Sequence, residues 1–135
     1  MQIDRAVTAH VANPSLRWFL AYAAAALGGT VAATLGTAAV TGAIPSPALW
    51  LTRILPFAAA ALVIPVAVAS FLLLKANLWT LPGFALAGAA IPALFLILVA
   101  LANAPGQHFA ASLIVWTLSG AFAGALFHQV WERLS

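Results

Sequence analysis

The sequence predicts an all-α integral membrane protein, a four-transmembrane-helix bundle with short loops. Three observations carry that expectation. Of 135 residues, 65% are hydrophobic and 5% are charged; a soluble domain carries about 25% charged residues, so no water-facing surface can be assembled from this composition. Disorder is excluded as well, because a disordered chain combines low hydrophobicity with high charge, and the mean hydropathy here is +1.11. Finally, Pro, Gly and Asn clusters cut the chain into apolar runs of about the 20 residues that a helix needs to cross the hydrocarbon. A single membrane domain over 1–135 follows.

Residues 1–14 form an N-terminal surface segment. Ile3, Val7 and Val11 recur every fourth residue, while Gln2, Asp4, Arg5 and Thr8 lie elsewhere around a helix. This spacing fits a short amphipathic helix on the membrane surface and equally a frayed terminus. Asn13 followed by Pro14 makes an N-cap and first-turn pair. Span one then covers about 16–40 and ends at Gly42, Pro45 and Pro47. It is too long for the apolar core of a cleaved signal peptide and is read as a retained span.

Ser46 and Pro47 signal the next start. A single helix from there to Lys75 would be about 44 Å long, against a hydrocarbon core of about 30 Å. The expectation is therefore a short interfacial turn or helix around 48–52, with Trp50 at headgroup depth, and span two over 54–74. A tight connection from Lys75 to Trp79 follows, then Thr80 and Pro82 open span three at 81–102. Asn103, Ala104, Pro105 and Gly106 form a turn before span four at 109–131.

Orientation follows from the cations. Arg5, Arg17, Lys75 and Arg133 share one side and Arg53 holds the other, which places both termini in the cytoplasm by the excess of Lys and Arg in cytoplasmic loops. Trp18, Trp79 and Trp131 would lie at that interface and Trp50 at the opposite one, while Trp116, deeper in span four, packs or contacts lipid. An Ala-, Gly- and Pro-rich chain with a single Lys points to a bacterial gene, hence to the cytoplasmic (inner) membrane. The pI of about 10.8 would suggest nucleic acid in a soluble protein, but five dispersed cations form no stripe that tracks phosphates.

The inventory for chemistry is thin. Without cysteine there is no disulfide, thiolate nucleophile or Cys-ligated metal. The carboxylates are Asp4 and Glu132, both near the cytoplasmic surface, and no span carries an acid, Lys or Arg at mid-depth, where ion-coupled transporters place one. No phosphate-cradling loop or Ser-His-acid spacing is present. The expectation is a protein that is not an enzyme, with no metal. His128 is the candidate cofactor ligand, an axial imidazole for haem or chlorin, with Glu132 four residues on along the same face. His10 and His108 lie outside the spans, so no second ligand is at hand, and a histidine satisfied by Glu132 or lipid is favoured.

Small residues suggest packing faces, since helices in lipid associate through close backbone approach. Gly28, Ala32 and Gly36 form one such face on span one; Gly120 and Gly124 form a GxxxG motif on span four, flanked by Thr117 and His128. Both are assigned to contacts within the monomer before contacts with a partner. Thr30, Thr34, Thr37 and Thr41 make a stripe that could line a polar path, pack against a neighbouring helix, or bond the carbonyls one turn back; the last two are favoured. Pro65 and Pro92 lie near the middles of spans two and three, where proline kinks a helix and where transporters break helices to build midplane sites. Leu55-Pro56 with Ile64-Pro65, and Leu81-Pro82 with Ile91-Pro92, faintly resemble an inverted repeat, although proline is common in transmembrane helices.

The functional expectation is a non-catalytic accessory or assembly subunit of a larger membrane complex, whose partners are lipids and other membrane subunits or further copies of itself. The alternative is a small homo-oligomeric channel or transporter for an uncharged or weakly polar solute.

Overall fold

The computed structural model describes residues 13–103 and 109–134. The expected surface helix with His10, and the turn with His108, lie outside the described residues. Within them the chain is all-helical, with four helices long and apolar enough to cross a membrane: α1 (Pro14–Thr41), α2 (Pro47–Lys75), α3 (Leu81–Ala102) and α4 (Phe109–Arg133). This is a multi-pass membrane bundle.

The helix ends follow the local chemistry. At α1 the Asn13 side chain accepts the Ser15 N–H at 2.9 Å, with Pro14 in the first turn, where its missing N–H costs nothing. Gly42 ends the helix in the left-handed region at φ 75, and its N–H reaches the Ala38 carbonyl, the glycine solution to a helix C-terminus. Ser46 caps α2 by accepting the Leu49 N–H at 3.2 Å. Thr80 does the same for α3 with the Gly83 N–H, also at 3.2 Å. Between them Asn77 takes φ 59, a left-handed position that asparagine tolerates better than most residues.

One expectation is corrected. The chain does not break around 48–52; α2 runs continuously for 29 residues, with a π-helical turn at Trp50–Ile54 in which the Leu55 N–H bonds the Trp50 carbonyl five residues back. Pro56 accounts for it. Proline offers no N–H to the carbonyl four residues earlier, that of Thr52, and its ring crowds that carbonyl; a wider turn lets the ring clear while the helix continues. A helix of about 44 Å then fits a bilayer by tilting or by emerging from it. α2 and α3 likewise continue as helices through Pro65 and Pro92.

The four helices are not equal members of the bundle. α4 is the hub, packed along its length against α1 on one side and α3 on the other, whereas α2 rests on α1 and meets α3 only lightly. The buried core of Ala21, Tyr22, Ala25, Ala26, Phe84 and Phe127 belongs to the half of the bundle nearer Lys75. Towards the other end α3 is nearly bare: Leu94, Phe95, Ile97, Leu98, Val99 and Leu101 are all exposed, Leu101 at 79%. At 100° per residue these positions cover an arc of about 200°, while Ala93, Leu96 and Ala100 on the other side are half-buried.

Candidate functional site

Three constellations bring together the residues singled out in the sequence. The first is a glycine seam between α3 and α4. A Cβ placed on Gly120 would lie 2.0 Å from the Gly88 carbonyl oxygen, one on Gly88 would lie 2.1 Å from that of Gly120, and one on Gly124 would lie 1.9 Å from that of Phe84. No side chain fits where backbone meets backbone at such range. Pro92 contributes twice. It has no N–H to offer the Gly88 carbonyl four residues back, which leaves that oxygen facing Gly120, a geometry suited to Cα–H···O contacts between helices; its ring also packs against Gly120, 2.7 Å from where a Cβ would sit. The GxxxG motif is thus occupied inside the chain.

On the α1 side of α4 the approach is looser. Gly28 faces Leu126 and Gly36 faces Val115, side-chain ends rather than backbone, with Ala32 half-buried between them. Gly29 packs on Ala123.

The second constellation is a clasp of indoles on the threonine stripe. The Trp50 Nε1–H donates to Thr34 Oγ1 at 2.8 Å, and the Trp116 Nε1–H donates to Thr37 Oγ1 at 3.4 Å. Thr41 Oγ1 donates instead to the Thr37 carbonyl at 2.9 Å, and Thr30 is buried. The stripe therefore receives one indole from α2 and one from α4. Two further bonds stitch α1 to α2: Trp18 Nε1–H to Ser70 Oγ at 3.2 Å, and the Tyr22 hydroxyl to the Ala59 carbonyl. Thr34→Val should lower stability by about 1 kcal/mol, as expected for an interhelical bond in a membrane. Thr41→Val, which disturbs only local backbone bonds, should cost less. Equal shifts in the detergent-unfolding midpoint would remove the clasp from consideration.

The third is an aromatic cluster at the Lys75 end. Trp18 stacks on Tyr22 with ring centroids 5.2 Å apart and meets Phe127 edge-on at 5.9 Å. Phe127 stacks on Phe84 at 5.0 Å, and Trp79 bridges Phe84 and Trp131. Arg17 lies with its guanidinium carbon 4.1 Å above the Trp131 ring, and its Nη2 donates to the Trp131 carbonyl at 2.9 Å. α1 is thereby tied to the C-terminal turn of α4, where a cation is favoured by the helix dipole.

His128 sits at the edge of this cluster. Its ring is 5.7 Å from that of Phe84, and its Nε2 lies 3.8 Å from Glu132 Oε1. A tetrapyrrole iron or magnesium ion would need a ring nitrogen turned away from these neighbours. Among the described residues no group of three His, Cys, Asp or Glu side chains converges.

Sequence reasoning missed four of these partners. Gly88 has Phe84 and Pro92, not small residues, four positions to either side, so only its pairing with Gly120 reveals it. The indole donors are separated from Thr34 and Thr37 by 16 and 79 positions, and nothing local announces them. Arg17 read as a topology signal, whereas it also fastens two helices. No protein-family model matches this chain, and neither a curated protein nor a solved structure is similar to it.

Proposed function

We propose that this protein is a non-catalytic assembly subunit of the bacterial inner membrane, with both termini in the cytoplasm, that packs against other membrane polypeptides. The observation that carries the reading is the bare half of α3. Leu94, Phe95, Ile97, Leu98, Val99 and Leu101 are exposed, although the other half of the same helix is locked to α4 at backbone contact. Lipid solvates apolar side chains well, so exposure alone needs no partner. A rigid half that holds a bare half in a fixed direction is, however, what a docking helix requires, because ordering has already been met within the monomer. The transport alternative is weakened by the threonine stripe, where the Thr34 and Thr37 hydroxyls hold the Trp50 and Trp116 indoles and would have to release them to line a path.

The reading is tested by placing a photoreactive side chain at Leu98 or Leu101 and irradiating native membranes. The expected result is a crosslink to one polypeptide of defined mass from both positions, and none from Ala25 in the buried core. Lipid adducts alone, together with a monomer in mild detergent, would overturn it.

A further inference from the structure

At the Lys75 end, where α1 begins and α4 finishes, an open groove of about 330 Å³ runs between Pro14, Ser15, Trp18, Phe19 and Trp131. That is about twice the volume of a cavity that takes a benzene ring, so branched aliphatic side chains have room in it. Two of its walls are held from behind. Trp18 stacks on Tyr22 and donates to Ser70, and Trp131 is braced by Trp79 and Phe127. Phe19 forms the outer rim and is 60% exposed. Among the described residues no charged side chain lines the groove, so its occupant is selected by apolar shape.

One apolar group in the sequence is tethered to that rim. Asn13 has extended backbone, φ -72 and ψ 117, so the chain before it departs from the α1 axis next to Pro14, where the groove begins. In residues 1–12, Ile3, Val7 and Val11 recur every fourth residue, the spacing that gathers apolar groups on one side of a helix. At 1.5 Å per residue such a segment reaches about 18 Å, more than the roughly 8–10 Å between packed helix axes. Val7 and Val11 can therefore cross from Ser15 towards Trp131. A tethered segment also meets the groove at an effective concentration of about millimolar, without the translational cost that a free polypeptide pays.

We propose that residues 1–12 fold back at Asn13 and seat Val7 and Val11 in this groove, covering the α1–α4 junction rather than lying on the lipid surface. The segment then forms a second tie between α1 and the last turns of α4, beside the one made by Arg17. The site is separate from the bare half of α3, which lies at the opposite end of the bundle.

The chain has no cysteine, so introduced pairs report proximity directly. Val7→Cys is combined either with Phe19→Cys on the rim or with Leu20→Cys, which is 41% exposed at the same depth but on the opposite face of α1. Both α1 positions are exposed, so neither change removes a packed side chain. The full chain is oxidised mildly in phosphatidylcholine vesicles, and disulfides within one chain are counted. Because the bond needs Cα atoms within about 7 Å, the Phe19 pair should form about tenfold faster than the Leu20 pair. Val11→Cys with the same two partners repeats the comparison one turn nearer Asn13, so the result does not hang on one register. Adding Ile3→Gln and Val11→Gln to the Val7 pairs should bring their rates together, since the stripe is then gone. Equal rates with the stripe intact would overturn the proposal, as would the absence of disulfides from every pair, the behaviour of a segment lying on lipid. Disulfides that join two chains through Phe19→Cys would give the groove to a second copy and overturn it as well. A tenfold preference that survives the Gln substitutions would also do so, because the contact would not come from the apolar stripe.

Discussion

Gly124→Ile separates α3 from α4 and lowers stability by more than about 3 kcal/mol, beyond the usual cost of overpacking. The reason lies in which atoms collide. The first carbon of the new side chain would sit 1.9 Å from the Phe84 carbonyl oxygen and 3.3 Å from the Ala85 Cα, and neither atom belongs to a side chain that can rotate aside. The helices must move apart, and every contact along the seam loosens with them. Gly28→Ala is the informative contrast, because its new carbon meets the far end of Leu126 at 2.7 Å, a group that can swing away. A cost below about 1 kcal/mol is expected there. The pair Gly88→Ala and Gly120→Ala should be strongly non-additive, since either substitution alone opens the same gap. Unfolding of the detergent-solubilised chain by a denaturing detergent reads all four effects. A Gly124→Ile chain as stable as the unmodified protein would mean that the seam does not hold α3 and α4 together.

Phe127→Ala should cost about 3 kcal/mol, at the lower end of the range for buried phenylalanine. The lower end is chosen for a physical reason. When helices separate in a membrane the phenyl ring passes into lipid rather than water, so little transfer free energy is at stake, and the loss is chiefly of van der Waals contact. That contact is extensive: Phe127 is 2% exposed, stacks on Phe84, and touches Trp18 and Trp131. It joins α1, α3 and α4 at one point. Phe95→Ala, on a ring 56% exposed, should shift the same midpoint by less than about 0.5 kcal/mol. Similar losses from both substitutions would mean that stability follows apolar bulk and not the packed cluster.

The fold was legible because bilayer thickness turns composition into geometry. Apolar length, the caps at Asn13, Ser46 and Thr80, and Gly42 set four helices, whose ends other than the start of α2 lie within a few residues of those expected. The unbroken run of α2 from Pro47 was not legible. A length argument favoured a break before Ile54, but the hydrogen-bonded helix continues because one widened turn absorbs Pro56. GxxxG drew attention to Gly120 and Gly124, but the surface they approach contains Gly88 and the Phe84 carbonyl, and sequence spacing carries no information about backbone atoms on another helix. The same limit hid the indoles from the threonines.

The position of α4 in the chain has a consequence for biosynthesis. The hub of the bundle is the last of its helices to be made. While α1, α2 and α3 are already in the bilayer, the seam of Gly88 has nothing to close against, the core around Phe84 lacks Phe127, and Arg17 has no Trp131 to cover. α1 and α2 can pair early through Trp18, Tyr22 and Trp50, but α3 must wait. The chain therefore passes through a stage at which its third helix is inserted but undocked along both halves, and consolidation is a single late event that begins when α4 arrives.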